Sequence, residues 1–220
     1  MPYTLAFDIE TRGDIACLPF LPPVEAAANL RDPEKVKQSI IERTAAQLSQ
    51  LALYHSTCLI TAIGLSMPDG EIEVHLCPTT EAEVTALERF WHQWRRADFR
   101  CGFRCIPFDL PILMTRSRLL SVPHPELSLK KYGTPGIRDL ELETGYNGIQ
   151  DDSRIKGAGR MSFWVKRYGI TLPDDPIEGK DCPALAEENT PASWALIREH
   201  CRIDVMATMA LAEKLPFGAW

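Results

Sequence analysis

The chain has 220 residues, 45% hydrophobic and 25% charged, enough for one compact domain with a sizeable core or at most two small ones. Its 17 prolines and 13 glycines imply long connections rather than disorder. The net charge of −6 argues against a protein that coats a long duplex, because such proteins are usually basic overall. Met1-Pro2-Tyr3 runs straight into an apolar segment without the basic start of a leader peptide. Between Thr44 and Pro68, the longest stretch free of Lys, Arg, Asp and Glu, polar residues from Gln47 to Thr57 break any membrane-length apolar block. The seven cysteines are scattered, most in apolar contexts, as buried free thiols are. A soluble protein of the reducing cytoplasm is expected, with no membrane association.

Tyr3 to Phe7 reads as a strand that ends in Asp8-Ile9-Glu10-Thr11. Side chains two apart on a strand share a face, so Asp8 and Glu10 project together. Two adjacent carboxylates repel, and a hard divalent cation with its preference for oxygen ligands relieves that repulsion. A proline-rich connection from Arg12 to about Arg31 precedes a helix from Asp32 or Pro33 to about Tyr54, with Val36, Ile40, Ile41, Leu48, Leu51 and Ala52 on its apolar side. Cys58 to Met67 and Glu71 to Leu76, joined by Pro68-Asp69-Gly70, read as a hairpin. Thr80 to Ala97 is an amphipathic helix with Val84, Leu87, Trp91 and Trp94 inward, and Arg100 to Phe103 a short buried strand. A helix beginning at Asp109 runs to Leu120, and a loop-rich region follows from Ser121 to Arg160, with a strand over Gly136 to Leu142. Met161 to Tyr168 is a short helix, a proline-rich segment comes next, and the final helix runs from Thr190-Pro191 to about Leu215. The order of strands and helices is that of an α/β protein with a mixed sheet.

Two further acids stand out. Asp109 taken alone reads as a helix N-cap. His200 and Asp204 lie one turn apart at the edge of the apolar stripe Trp194, Ile197, Cys201, Val205, Thr208 and Ala212; taken alone they read as a surface pair. Taken together with Asp8 and Glu10, they form a set.

Phe7-Asp8-Ile9-Glu10-Thr11, Phe108-Asp109-x-Pro-x-Leu and the final helix with x-Cys-x-x-Asp-Val resemble, in order and over essentially the whole chain, the three motifs of the DEDD 3′–5′ exonucleases. The resemblance is greatest to the proofreading exonuclease domain of B-family DNA polymerases and to similar stand-alone exonucleases. It implies a ribonuclease-H-like mixed five-stranded sheet with flanking helices, in a single exonuclease-like domain over residues 1–220. It also implies that Asp8, Glu10, Asp109 and Asp204 hold two divalent ions, Mg²⁺ or Mn²⁺, for two-metal hydrolysis of the terminal phosphodiester of single-stranded DNA or RNA. The products are nucleoside 5′-monophosphates, and the partners are single-stranded 3′ ends. A proofreading or processing role is expected either to need a polymerase or repair partner or to be independent repair or RNA trimming.

Two positions depart from the pattern. Family members usually carry Asn five residues before the second-motif Asp, where this chain has Arg104, a residue able to contact a substrate phosphate or to point away. The polymerase-like branch has Tyr four residues before the last Asp, where this chain has His200, expected to orient or deprotonate the attacking water. Thr11 and Arg104 are the expected substrate contacts. Asp139 reads either as a strand-end acid near the cleft or as a paired surface residue. Arg154, Lys156, Arg160, Lys166 and Arg167 interleave with Phe163, Trp164 and Tyr168, either tracking a single strand or lying as a solvated face over an aromatic core. His75, Cys77, Cys101 and Cys105 match no common zinc spacing. The rival to an enzyme is a catalytically weak end-binding module of the same fold, and a closer cousin is an endonuclease.

Overall fold

The structure is a computed structural model that describes residues 2–129, 136–145, 157 and 159–215. Its centre is strand β1, Thr4–Gly13. It pairs antiparallel with β2, Cys58–Ser66, from Phe7 opposite Leu65 to Gly13 opposite Cys58. That long partner carries the strand past the carboxylates, so Asp8 and Glu10 lie within β1 rather than at its end. The hairpin forms as expected, with β3 at Ile72–Leu76 antiparallel to β2. On the other side, β4 (Phe99–Gly102) pairs in parallel only with Thr4, Leu5 and Ala6, and β5 (Ile137–Asp139) pairs in parallel with β4. The described residues thus form the mixed five-stranded sheet, order β3-β2-β1-β4-β5, flanked by helices, consistent with a ribonuclease-H-like fold.

The pleat of β1 separates two cores. Leu5, Phe7 and Ile9 face helix α2 (Thr80–Arg96) and helix α3 (Asp109–Leu119). There Phe7 meets Phe90 and Trp94 edge-on, with ring centroids 5.3 and 5.9 Å apart. Buried Glu83 and Arg116 join α2 to α3 in a two-bond ion pair of 2.7 and 2.9 Å. Ala6, on the opposite face, packs with Val205 and Leu211 of the last helix.

Helix α1, Pro33–Leu51, differs from expectation. Leu51 and Ala52 are buried, but Ile40, Ile41 and Leu48 are 38–54% exposed, because the helix touches the sheet at its C-terminal end and no described element covers the rest of its apolar side. The strand expected over Gly136 to Leu142 stops at Asp139, whose carboxylate accepts the Glu141 N–H and starts helix α4, Leu140–Thr144. Helix α5, Met161–Arg167, is followed by helix α6, Cys182–Glu188, within the segment read as a proline-rich connection. Helix α7, Pro191–Lys214, closes the second face, started by Thr190, whose hydroxyl accepts the Ser193 N–H. Among the described residues no helix is long and apolar enough to cross a membrane.

Helix α7 crosses the sheet at Gly64. A Cβ there would lie 2.7 Å from Val205 Cγ2 and 2.8 Å from Cys201 Sγ, so only glycine admits this approach. Gly64→Ala is expected to lift α7 and cost about 1–3 kcal/mol. The measurement is a urea titration: a lower midpoint at unchanged slope is expected, and an unchanged midpoint contradicts the packing argument.

Candidate metal centre

Beyond Ala6, β1 has lost its parallel neighbour, since β4 ends at Gly102 and the chain turns toward α3. Among the described residues no strand pairs with β1 beside Asp8, Ile9 and Glu10 on that side. Asp109 is the first residue of α3, not its N-cap; Phe108 holds the cap position without a side-chain bond. The Asp109 carboxylate instead accepts from its own N–H and from the N–H of Ile9, which ties the start of α3 to the open edge of β1.

On the other edge, Asp8 and Glu10 stand opposite Gly64 and Ala62, the smallest residues available. This leaves room for α7 to bring up Asp204 and His200. Oxygens of Asp8, Glu10 and Asp204 gather within 4.8 Å of one another. Asp109 stands outside that triple, yet near enough for its charge to act on Asp8. The structure thus brings together all four acids singled out in the sequence.

Burial and mutual repulsion make these groups hard to ionise. Burial first, then the charges of Asp204, Glu10 and Asp109, push Asp8 well above the carboxylate range. Burial raises Glu10 to about 7 against the opposing pull of His200. It raises Asp109 to about 8 and Asp204 to about 6. His200 is 5% exposed, and burial disfavours its charge, but Glu10, Asp204 and Asp175 outweigh that and raise its pKa. Its Nδ1 lies 2.7 Å from Asp175 Oδ2, while Nε2 faces Glu10 at 3.4 Å and Asp204 at 3.8 Å. An all-oxygen donor set that strains to shed protons fits a hard divalent cation.

Asp175, Gly179 and Cys182 escaped the sequence reading. All three come from the proline-rich segment and α6, which lie against Glu10 and His200. No local motif marks them; the Asp174-Asp175-Pro176 run was the available hint.

The remaining candidates sort as follows. Thr11 turns its hydroxyl to the Ala52 carbonyl, donating at 2.7 Å, and thereby ties β1 to the end of α1. Arg104 sits in the left-handed region at φ 62° with its side chain largely exposed, Nε 3.8 Å from Glu141 Oε2. Asp139 is buried and accepts the N–H groups of Arg104 and Ile106, both at 2.9 Å. It is not a surface pair: it ends β5, shapes the loop that delivers Asp109, and lies near enough for its charge to act on Asp109. Arg154 and Lys156 lie outside the described residues. Phe163 and Tyr168, on and just after α5, are 37% and 38% exposed. Buried Cys101 and Cys105 form no gathered metal-ligand group with His75 and Cys77 among the described residues.

No protein-family model and no curated protein matches this sequence. Among solved structures, the fold is similar to that of the family B DNA polymerase from the hyperthermophilic archaeon Pyrobaculum calidifontis, with a TM-score of 0.61 and 20% identity. The match covers 98% of this chain and 25% of the polymerase, so this chain spans about a quarter of that protein's length. At this identity the likeness establishes the fold.

The raised carboxylates set a sign for stability against pH. Glu10, Asp109 and Asp204 have folded pKa values of about 7, 8 and 6, above their ordinary values, so their protonated forms favour the fold. That stability is complete below the ordinary carboxylate range and is lost as pH rises through the folded values. Without metal, the melting temperature is therefore expected to fall between about pH 5.5 and about pH 8.5, with a shallower fall in Asp109→Asn. Adding Mn²⁺ should raise it more at the upper pH than at the lower, because protons no longer compete for the ligands. A metal-free melting temperature that rises over this interval contradicts the assignment.

Proposed function

We propose that this protein is a metal-dependent 3′–5′ exonuclease, a single domain over residues 1–220 that shortens single-stranded DNA or RNA from its 3′ end. The observation that carries the reading is the convergence of Asp8 and Glu10 from β1 with Asp204 from α7, and Asp109 at the start of α3 beside them. Supporting it are the DEDD-like motif order and the likeness of the fold to that of a family B DNA polymerase.

The residues take the following roles in this reading. Asp8, Glu10, Asp109 and Asp204 hold two divalent ions, Mg²⁺ or Mn²⁺, whose charge would be offset by the four carboxylates. When bound, such ions supply Lewis-acid stabilisation of charge at the scissile phosphate. His200 takes a proton from the attacking water on Nε2, with its ring fixed from behind by Asp175 on Nδ1. The water oxygen bonds to phosphorus, the bond to the 3′-oxygen breaks, and that oxygen is protonated to leave a new 3′-hydroxyl. A nucleoside 5′-monophosphate departs. Arg104, exposed at the head of the loop leading to Asp109, offers a guanidinium to a backbone phosphate. Phe163 and Tyr168 offer exposed rings to unpaired bases. A polymerase or repair complex in the cytoplasm is the natural setting.

The direct test is digestion of 5′-labelled single-stranded DNA and matched RNA in Mn²⁺. A ladder that shortens from the 3′ end, absent with EDTA and in Asp204→Ala, is expected. Intact substrate together with retained end binding in EDTA would replace this reading with the end-binding module, and cleavage of a circular single strand would replace it with an endonuclease.

The role of His200 has its own signature. Activity should rise with pH as the imidazole loses its proton. Removing the Asp175 carboxylate removes a group that stabilises the imidazolium, so Asp175→Asn should shift the acidic limb to lower pH. Its rate should fall by roughly 10–100-fold, the usual range for a group that orients a functional histidine. A flat profile between about pH 6 and about pH 8, with an unchanged rate in His200→Phe, would remove the histidine from the mechanism.

A further inference from the structure

We propose that Glu10, Cys182 and His200 form a binding site for a thiophilic divalent ion such as Zn²⁺, distinct in donor chemistry from the carboxylate centre but sharing Glu10 with it. The residues come from β1, the start of α6 and α7, and each is buried, at 7%, 0% and 5% exposure. One oxygen, one sulfur and one nitrogen gather within 4.8 Å of one another. A thiolate is a soft ligand with no use to Mg²⁺, whereas mixed sulfur, imidazole and carboxylate sets hold Zn²⁺ tetrahedrally.

Two independent features point the donors at a common centre. Asp175 engages Nδ1 of His200 at 2.7 Å and leaves Nε2 facing Glu10, the carboxylate–histidine arrangement that orients an imidazole for a metal. Gly179 lines the same space: a Cβ there would lie 3.3 Å from His200 Nε2 and 4.0 Å from Glu10 Oε2. The absence of a side chain keeps clear the volume into which Nε2 and the carboxylate project. The Cys182 thiol now hydrogen-bonds Glu10, and its proton is released when an ion takes its place. With three protein ligands, a water completes the tetrahedron. Glu10 cannot serve both kinds of ion at once, so Zn²⁺ excludes Mg²⁺ or Mn²⁺ from that carboxylate. The consequence for turnover rests on the exonuclease reading; the binding itself does not.

The test uses Co²⁺ as a spectroscopic substitute for Zn²⁺ on the full chain. The wild type is expected to show a near-ultraviolet thiolate-to-cobalt charge-transfer band that Zn²⁺ abolishes. Cys182→Ser should lack the band, and His200→Gln, which keeps the thiol, should bind Zn²⁺ at least about tenfold more weakly. Mn²⁺ affinity in Cys182→Ser, read by electron paramagnetic resonance, should stay within about threefold of wild type, since a serine hydroxyl still donates to Glu10. No charge-transfer band in the wild type, the same band in Cys182→Ser, or unchanged Zn²⁺ affinity in His200→Gln would each overturn the site. None of these readouts uses a nucleic acid, so failure here leaves the exonuclease reading standing, and an inactive nuclease leaves this site standing.

Discussion

The structure depends on forcing Asp8, Glu10, Asp109 and Asp204 together where water is scarce. Isolated, such a cluster opposes folding, because each carboxylate loses hydration and gains like-charged neighbours. The pKa values respond accordingly: Glu10 and Asp109 reach about 7 and about 8. His200 relieves part of the conflict, and the surrounding carboxylates raise its own pKa. The rest of the molecule is the scaffold that keeps the cluster from dispersing.

That scaffold is asymmetric. β2 holds β1 from Phe7 to Gly13, whereas β4 holds only Thr4, Leu5 and Ala6. The side that lost its strand neighbour receives Asp109, bonded to the Ile9 N–H; the side that kept it presents Gly64 and Ala62, over which α7 lowers Asp204. Asp139, near enough for its charge to act on Asp109, grips the N–H groups of Arg104 and Ile106 so that the loop enters α3 with Asp109 in place. Arg104 takes up a left-handed backbone in that loop, a conformation that the two flanking bonds to Asp139 hold.

The sheet and its helices were legible because they are periodic. The alternation of β1, the hairpin turn at Pro68-Asp69-Gly70 and the stripe of α7 each carry their own local signal. The acids were legible because they sit in recognisable spacings. What was illegible depended on long-range neighbours. Nothing within α1 tells that Ile40 and Ile41 remain exposed, since its periodicity states a face and not a partner. The extension of β1 past Glu10 is decided by the length of β2, far away in sequence. Asp175 meets His200 across 25 residues, through a segment whose prolines signalled only a connection. Asp109 offered a misleading local reading: its composition fits a cap, but the free N–H of Ile9 competes for its carboxylate and the helix starts at it instead.

The central claim is that the four carboxylates exist to hold two divalent ions. The most direct measurement is a crystal of the protein soaked in Mn²⁺, with anomalous scattering recorded near the manganese edge. The account predicts two peaks bounded by Asp8, Glu10, Asp109 and Asp204, both absent from Asp8→Asn crystals treated the same way. Crystals that diffract well and show no peak among these residues would contradict it.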